Sequence, residues 1–115
     1  MFNFEKLAVW QKSIAFAGTI YRVTRTFPAD ERFGLTNQIR RAAISISSNV
    51  AEGSARPPAD YAKFIGYASG SLYEVVTQST LARNEGFLAS TDFDQLDRDA
   101  EEISRMLSGL RKSLE

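Results

Sequence analysis

Apolar residues recur at steps of three and four along almost the whole chain, the period of an amphipathic helix, in four runs separated by short punctuation. The first run extends from about Glu5 to Thr26, with Leu7, Trp10, Ile14, Ala17 and Tyr21 on one face. Phe27-Pro28-Ala29-Asp30 ends it, because a residue before proline is pushed out of the helical region. The second run, about Phe33 to Glu52, carries Leu35, Ile39, Ala42, Ile46 and Val50. Gly53 is placed to cap it, and Pro57-Pro58 forbids continuation. The third starts near Pro58 or Ala59 and reaches about Glu85, with Tyr61, Phe64, Ala68, Leu72, Val75, Ser79 and Ala82 as its seam and Asn84 and Gly86 at its end. Thr91 and Asp94 then form a variant capping box for the fourth, whose Phe93, Leu96, Ala100, Ile103, Leu107, Leu110 and Leu114 keep step throughout. No strand alternation and no linker interrupts the series. Helices of about 20 residues, each roughly 30 Å long, joined by short connections pack as an antiparallel up-and-down four-helix bundle. The chain therefore reads as one all-α domain over residues 1–115.

The first helix carries more apolar surface than one bundle core needs. Val9, Phe16, Ile20, Val23 and Phe27 form a second stripe, turned roughly 110° from the first at 100° per residue. Burying a Phe or Ile is worth about 1.5–3 kcal/mol, so a stripe of them left in water would be costly and adhesive. This predicts a subunit interface through Val9, Phe16, Ile20, Val23 and Phe27, with Phe2 and Phe4 as a clasp. The competing reading makes this helix the most central one of an irregular bundle.

Composition narrows the chemistry. The 115 residues include no cysteine and no histidine. Disulfides, thiolate catalysis and Cys-ligated zinc are thereby excluded, and the commonest general base and transition-metal ligand is missing. No catalytic, cofactor or metal site is expected. There is no signal-peptide pattern and no apolar stretch near the roughly 20 residues of a membrane span, which predicts a cytoplasmic protein without membrane association. The net charge is zero, 14 basic against 14 acidic residues. Residues 1–56, however, hold eight basic and four acidic residues, net +4, and the remainder six and ten, net −4. Such asymmetry places a basic surface against nucleic acid, or an acidic helix against a basic one.

Three constellations follow. Gln38, Arg41, Ser45, Ser48 and Glu52 line up on the second helix beside Arg40 and Asn49, and Tyr67, Ser71, Glu74 and Gln78 on the third. Glu52 and Glu74 could act as an acid–base pair. The favoured reading is a structural polar network of Arg40, Arg41, Asn49, Glu52 and Glu74. Ala42, Ala43, Ser47 and Ala51 with Gly66, Ser69 and Gly70 would allow close approach of the two helices. Asp92, Asp94, Asp97 and Asp99 suggest calcium, but counting from Asp92 the sixth position is Asp97 and the twelfth Ile103, so the EF-hand loop fails twice. Arg22, Arg25 and Arg32 gather at the first turn between helices, and with Arg40 they are candidate phosphate contacts for RNA or DNA.

Three stretches together carry a resemblance: Phe4-Glu5-Lys6-Leu7-Ala8-Val9-Trp10-Gln11; Phe33-Gly34-Leu35-Thr36-Asn37-Gln38-Ile39-Arg40-Arg41-Ala42-Ala43-Ile44-Ser45-Ile46 running into Ser48-Asn49-Val50-Ala51-Glu52-Gly53; and Phe64-Ile65-Gly66-Tyr67-Ala68-Ser69-Gly70-Ser71-Leu72-Tyr73-Glu74. The chain resembles the bacterial four-helix bundle family named for proteins encoded in intervening sequences of 23S ribosomal RNA genes. That resemblance implies a four-helix subunit and, in related proteins, a homopentameric ring. A relative, the accessory variability protein of diversity-generating retroelements, is a basic pentamer that binds nucleic acid and a reverse transcriptase. No catalytic residues come with the family. Members often have proline where this chain has Ser47, which implies a straighter second helix here. The expectation is a homo-oligomeric interaction or scaffold module, pentameric by resemblance. The alternative is an RNA- or DNA-binding accessory protein using a ring of Arg22, Arg25, Arg32 and Arg40.

Overall fold

The computed structural model describes every residue from Met1 to Glu115 and contains four α-helices: α1 (Ala8–Thr24), α2 (Leu35–Ser54), α3 (Pro58–Asn84) and α4 (Ser90–Ser113). Short 3-10 turns at Asn3–Lys6 and Ala29–Glu31 precede α1 and α2. Each helix packs on its neighbours in the order α1, α2, α3, α4 and back to α1, with no backbone contact across either diagonal. Short connections make these neighbours antiparallel, the up-and-down bundle the periodicity predicts. Its long dimension is 43 Å, slightly more than the roughly 40 Å of the 27-residue α3 at 1.5 Å per residue.

The helix ends are set by backbone geometry. Pro58 opens α3, where its missing N–H has no helical partner to lose. Gly86 closes it with φ of +79°, while the Phe87 N–H reaches the Ala82 carbonyl at 2.8 Å and the Gly86 N–H the Arg83 carbonyl at 3.0 Å, a Schellman motif. The Thr91–Asp94 capping box does not form. Helix α4 begins two residues earlier, at Ser90 with Ala89 in the cap position, and no side chain caps it. Nor is Gly53 a cap. Helix α2 runs unbroken through Ser47 and Gly53 to Ser54, and Gly53 is buried.

The core overturns the expected use of α1. Phe16 and Ile20 are almost fully buried, Val9 and Phe27 nearly so, and Val23 packs half-buried against the same cluster. These residues are core, not a subunit interface. Of the stripe expected inside, only Ala17 is buried: Leu7 and Trp10 are half-buried, while Ile14 is 46% and Tyr21 39% exposed. The physical reason lies in two small polar residues that complete the inner stripe. Ser13 Oγ donates to the Val9 carbonyl at 2.7 Å and Thr24 Oγ1 to the Ile20 carbonyl at 2.7 Å. Each hydroxyl satisfied within its own helix can face an apolar core. Trp10 and Tyr21, amphipathic rings, take the boundary instead.

Part of the charge asymmetry resolves inside the bundle. Lys12 on α1 bridges Asp99 and Glu102 of α4, each at 3.2 Å. Those two partners hold its ammonium above the usual 10.5, hydrogen bonding to Asp99 contributing most. Burial likewise raises the Tyr61 phenol above 10.0. In both cases the native state keeps a proton that the unfolded chain releases, so stability should be flat through neutral pH and fall as pH rises past about 10. Urea titrations at pH 8 and 10.5 check this. Tyr61→Phe should soften the decline, and added salt should weaken the part due to Lys12, which is solvent-accessible. A stability that rises between those pH values would contradict the assignment.

Candidate functional site

The α1–α2 connection builds the most distinctive surface. Phe27 anchors it in the core, Pro28 turns the chain, and the Glu31 carboxylate accepts the Leu35 N–H at 3.2 Å as α2 begins. The result is an open depression of about 360 Å³ walled by Arg25, Arg32 and Arg40 together with Thr24 and Thr36. Arg40 is fixed: its Nε donates to Thr24 Oγ1 at 2.8 Å and its guanidinium lies 4.7 Å from the centre of the Tyr21 ring. Arg32 stacks at 5.6 Å on Phe33, which is 86% exposed. None of the three arginines has a carboxylate partner, since Lys12 makes the only ion pairs in the molecule. Thr36 is 8% exposed and its buried hydroxyl has no hydrogen-bond partner. Arg25, Arg32 and Arg40 of the four arginines singled out in the sequence thus line one depression. Arg22 does not, because its guanidinium folds back along α1 to Thr19 Oγ1 at 3.0 Å.

Thr36 and Phe33 were not among the residues the sequence nominated. Thr36 and Arg40, spaced i, i+4, share one face of α2, and that spacing was the available signal for Thr36; Arg32 and Phe33 lie in the turn before the helix, where periodicity carries no signal.

The expected polar network is not assembled. Arg40 turns to α1, and Asn49 Nδ2 donates to the Ser45 carbonyl of its own helix at 2.8 Å. Glu52 is exposed and makes no ion pair. Register explains this. A Cβ on Gly53 would lie 2.7 Å from Phe64 Cβ and 2.8 Å from Tyr61 Cδ1, so the end of α2 faces the first turns of α3. Glu74, ten residues beyond Phe64, then sits about 15 Å farther along the bundle, too far from Glu52 for an acid–base pair. Glu74 and Arg41 do share an open polar groove with Gln38, Ser45, Ser71 and Gln78, without an ion pair between them. Helices α2 and α3 do make the closest approach in the bundle, as expected, with Ala42, Ala43 and Ser47 buried. Gly66 and Gly70 are not what permits it, for a Cβ at Gly70 would meet nothing within 4 Å and one at Gly66 only Arg111. Of the acidic run in α4, Asp99 is engaged by Lys12 and Gln95.

A second surface runs along α1 and α2. The contact of Arg40 with Tyr21 fixes their register. From there one turn along α2 leads to Ile44, 43% exposed, and two turns back along α1 lead to Ile14. In antiparallel helices both steps go the same way, so Tyr21, Ile44 and Ile14 lie along one side. At its far end the N-terminal turn rests by Ala51 and Ser54, with Phe2 stacked on Phe4 at 5.6 Å and Phe4 edge-on to Trp10 at 5.3 Å. Phe2 remains 70% exposed.

Comparison with known proteins adds two findings. The family model described as 23S rRNA-intervening sequence protein matches residues 5–109. The crystal structure of a protein of unknown function from the S23 ribosomal protein family, from Bacteroides thetaiotaomicron VPI-5482, aligns with a TM-score of 0.83 at 22% identity, over 91% of this chain and 99% of that one. At that identity the likeness establishes the fold. No curated protein matches the chain, and no helix is long and apolar enough to cross a membrane.

Proposed function

The chain belongs to the 23S rRNA-intervening sequence protein family, and from that premise we propose that it acts as a non-enzymatic, self-associating interaction module. The observation that carries this reading is the apolar side formed by Phe2, Ile14, Tyr21 and Ile44, which the subunit leaves open to water. An apolar stripe extending over two helices is unusual on a lone subunit and suits a second copy of the chain. The homopentamer is the form the family resemblance implies. Light scattering on a size-exclusion column tests it: one chain is 12.8 kDa, and five chains make 64 kDa. Ile14→Glu with Ile44→Glu should return the species to 12.8 kDa with its helical signal intact, because both residues are largely outside the core. A wild-type protein already at 12.8 kDa at high micromolar concentration would end this reading.

A second reading, nucleic-acid binding, is favoured by one observation: Arg25, Arg32 and Arg40 converge on a single depression with no acidic partner. Three arginines lining one depression, none of them ion-paired, supply the planar donors that an oxyanion takes.

A further inference from the structure

We infer that the depression at the α1–α2 connection is a nucleotide-binding site for single-stranded nucleic acid, seating a backbone phosphate between Arg25, Arg32 and Arg40 while Phe33 offers a face to the adjoining base. This rests on the nucleic-acid reading and goes beyond it in naming the site, the strandedness and the role of an aromatic.

Four features of the site converge. The three guanidinium groups provide planar, fork-shaped donors matched to phosphate oxygens, and none is neutralised within the chain. Arg40 is already held by Thr24 and Tyr21, so a ligand need not order it. The Thr36 hydroxyl, buried in the wall without a partner, is a polar group the subunit leaves unsatisfied. Phe33 is among the most exposed apolar side chains of the molecule and stands beside Arg32. A neutral polar ligand would leave the positive charge uncompensated. A free phosphate would leave Phe33 without a role.

Strandedness follows from the aromatic. Bases in a duplex are stacked on one another and present only their edges, whereas an unpaired base has a free face for a phenyl ring. Phe33 lies outside the depression but directly follows Arg32 of its wall, whose guanidinium lies 5.6 Å from the Phe33 ring, and that adjacency is what links a phosphate site to a base-stacking face. RNA and DNA share that chemistry, so both enter the test.

Fluorescence anisotropy with a labelled 12-nucleotide oligouridylate, the matching oligothymidylate and a 12-base-pair duplex tests the site in 50 mM salt. The expected result is that both single strands bind more tightly than the duplex. Phe33→Ala should weaken them about fivefold to a hundredfold, the range of one lost base stack. That residue is exposed, so the variant should fold normally by circular dichroism. Arg25→Gln with Arg32→Gln should weaken binding further and lower the slope of log affinity against log salt by about 0.7 for each phosphate contact removed. The control is Arg98→Gln with Arg105→Gln, which removes equal charge from exposed positions of α4. Equal losses in the control and the pocket variant would overturn the site, leaving only general charge attraction. A duplex bound as tightly as the strands, with Phe33→Ala silent, would overturn the single-strand inference while keeping the nucleic-acid reading. No binding of any of the three oligonucleotides would remove both.

Discussion

Phe16→Ala should lower the unfolding free energy by about 3–5 kcal/mol, the largest effect expected of any single substitution in this chain. Phe16 is 2% exposed and lies at the middle of α1, facing α3 and α4 across Val75, Val76, Phe93 and Leu96. Deleting its ring removes the transfer energy of a buried aromatic and leaves a cavity that four packed helices can only partly collapse around. Domains of this size are stable by about 5–15 kcal/mol, so the variant would lose a fifth or more of what holds it folded. In urea the midpoint should fall sharply with an unchanged slope. The same experiment on Ile14→Ala should move the midpoint little, since that side chain is nearly half exposed. Both substitutions are best made in an Ile44→Glu background, because any association of the wild type would add a concentration-dependent share to its stability. If Phe16→Ala kept its midpoint and lost only an assembly, the inner and outer stripes of α1 would have to be exchanged.

That exchange shows where the sequence was readable and where it was not. Four helices, their order and most of their ends follow from period and punctuation, as Pro58 and Gly86 illustrate. The two stripes of α1 are harder. Leu7, Trp10, Ile14, Ala17 and Tyr21 step without a gap, whereas the true core stripe looks interrupted while Ser13 and Thr24 are counted as polar. Counting them as small residues that bond their own helix restores the run Val9, Ser13, Phe16, Ile20, Thr24 and Phe27 at steps of four, three, four, four and three. The chemistry of Trp10 and Tyr21, whose polar tips favour a boundary, points the same way.

The polar network failed for a different reason. Periodicity tells which residues share a face of one helix, and it correctly put Arg41 and Ser45 together on α2 and Ser71 and Glu74 together on α3. It carries nothing about the register between the helices, which holds Glu52 about ten residues away from Glu74 and brings Arg41 level with Glu74 in an open groove where the two make no ion pair. The arginine cluster was half-legible. Sequence proximity collected Arg22, Arg25 and Arg32, but only the chain reversal at Pro28 brings Arg32 and Arg40 round to line a depression with Arg25, while Arg22 folds back along α1 to Thr19.

The element that sets the α2–α3 register can be tested directly. Gly53→Ala should destabilise the bundle by about 1–3 kcal/mol, despite alanine being the better helix former by roughly 1 kcal/mol. The new methyl would sit 2.7 Å from Phe64 Cβ, an atom carried rigidly by the α3 backbone, so relief requires the helices to part and not a side chain to swing aside. Gly70→Ala provides the opposite case on the same pair of helices. Its methyl would meet nothing within 4 Å, and the change should stabilise by about 0.5–1 kcal/mol through the unfolded chain's lost freedom. Two glycines in helix interiors, given the same substitution, are thus expected to respond with opposite sign in thermal or urea unfolding. A stabilised Gly53→Ala would mean that the contact with Tyr61 and Phe64 yields readily. The level pairing of Arg41 with Glu74, and the separation of Glu74 from Glu52, would then have to be fixed by the buried residues farther along, Ala42, Ala43 and Ile46 against Ala68, Leu72 and Val75.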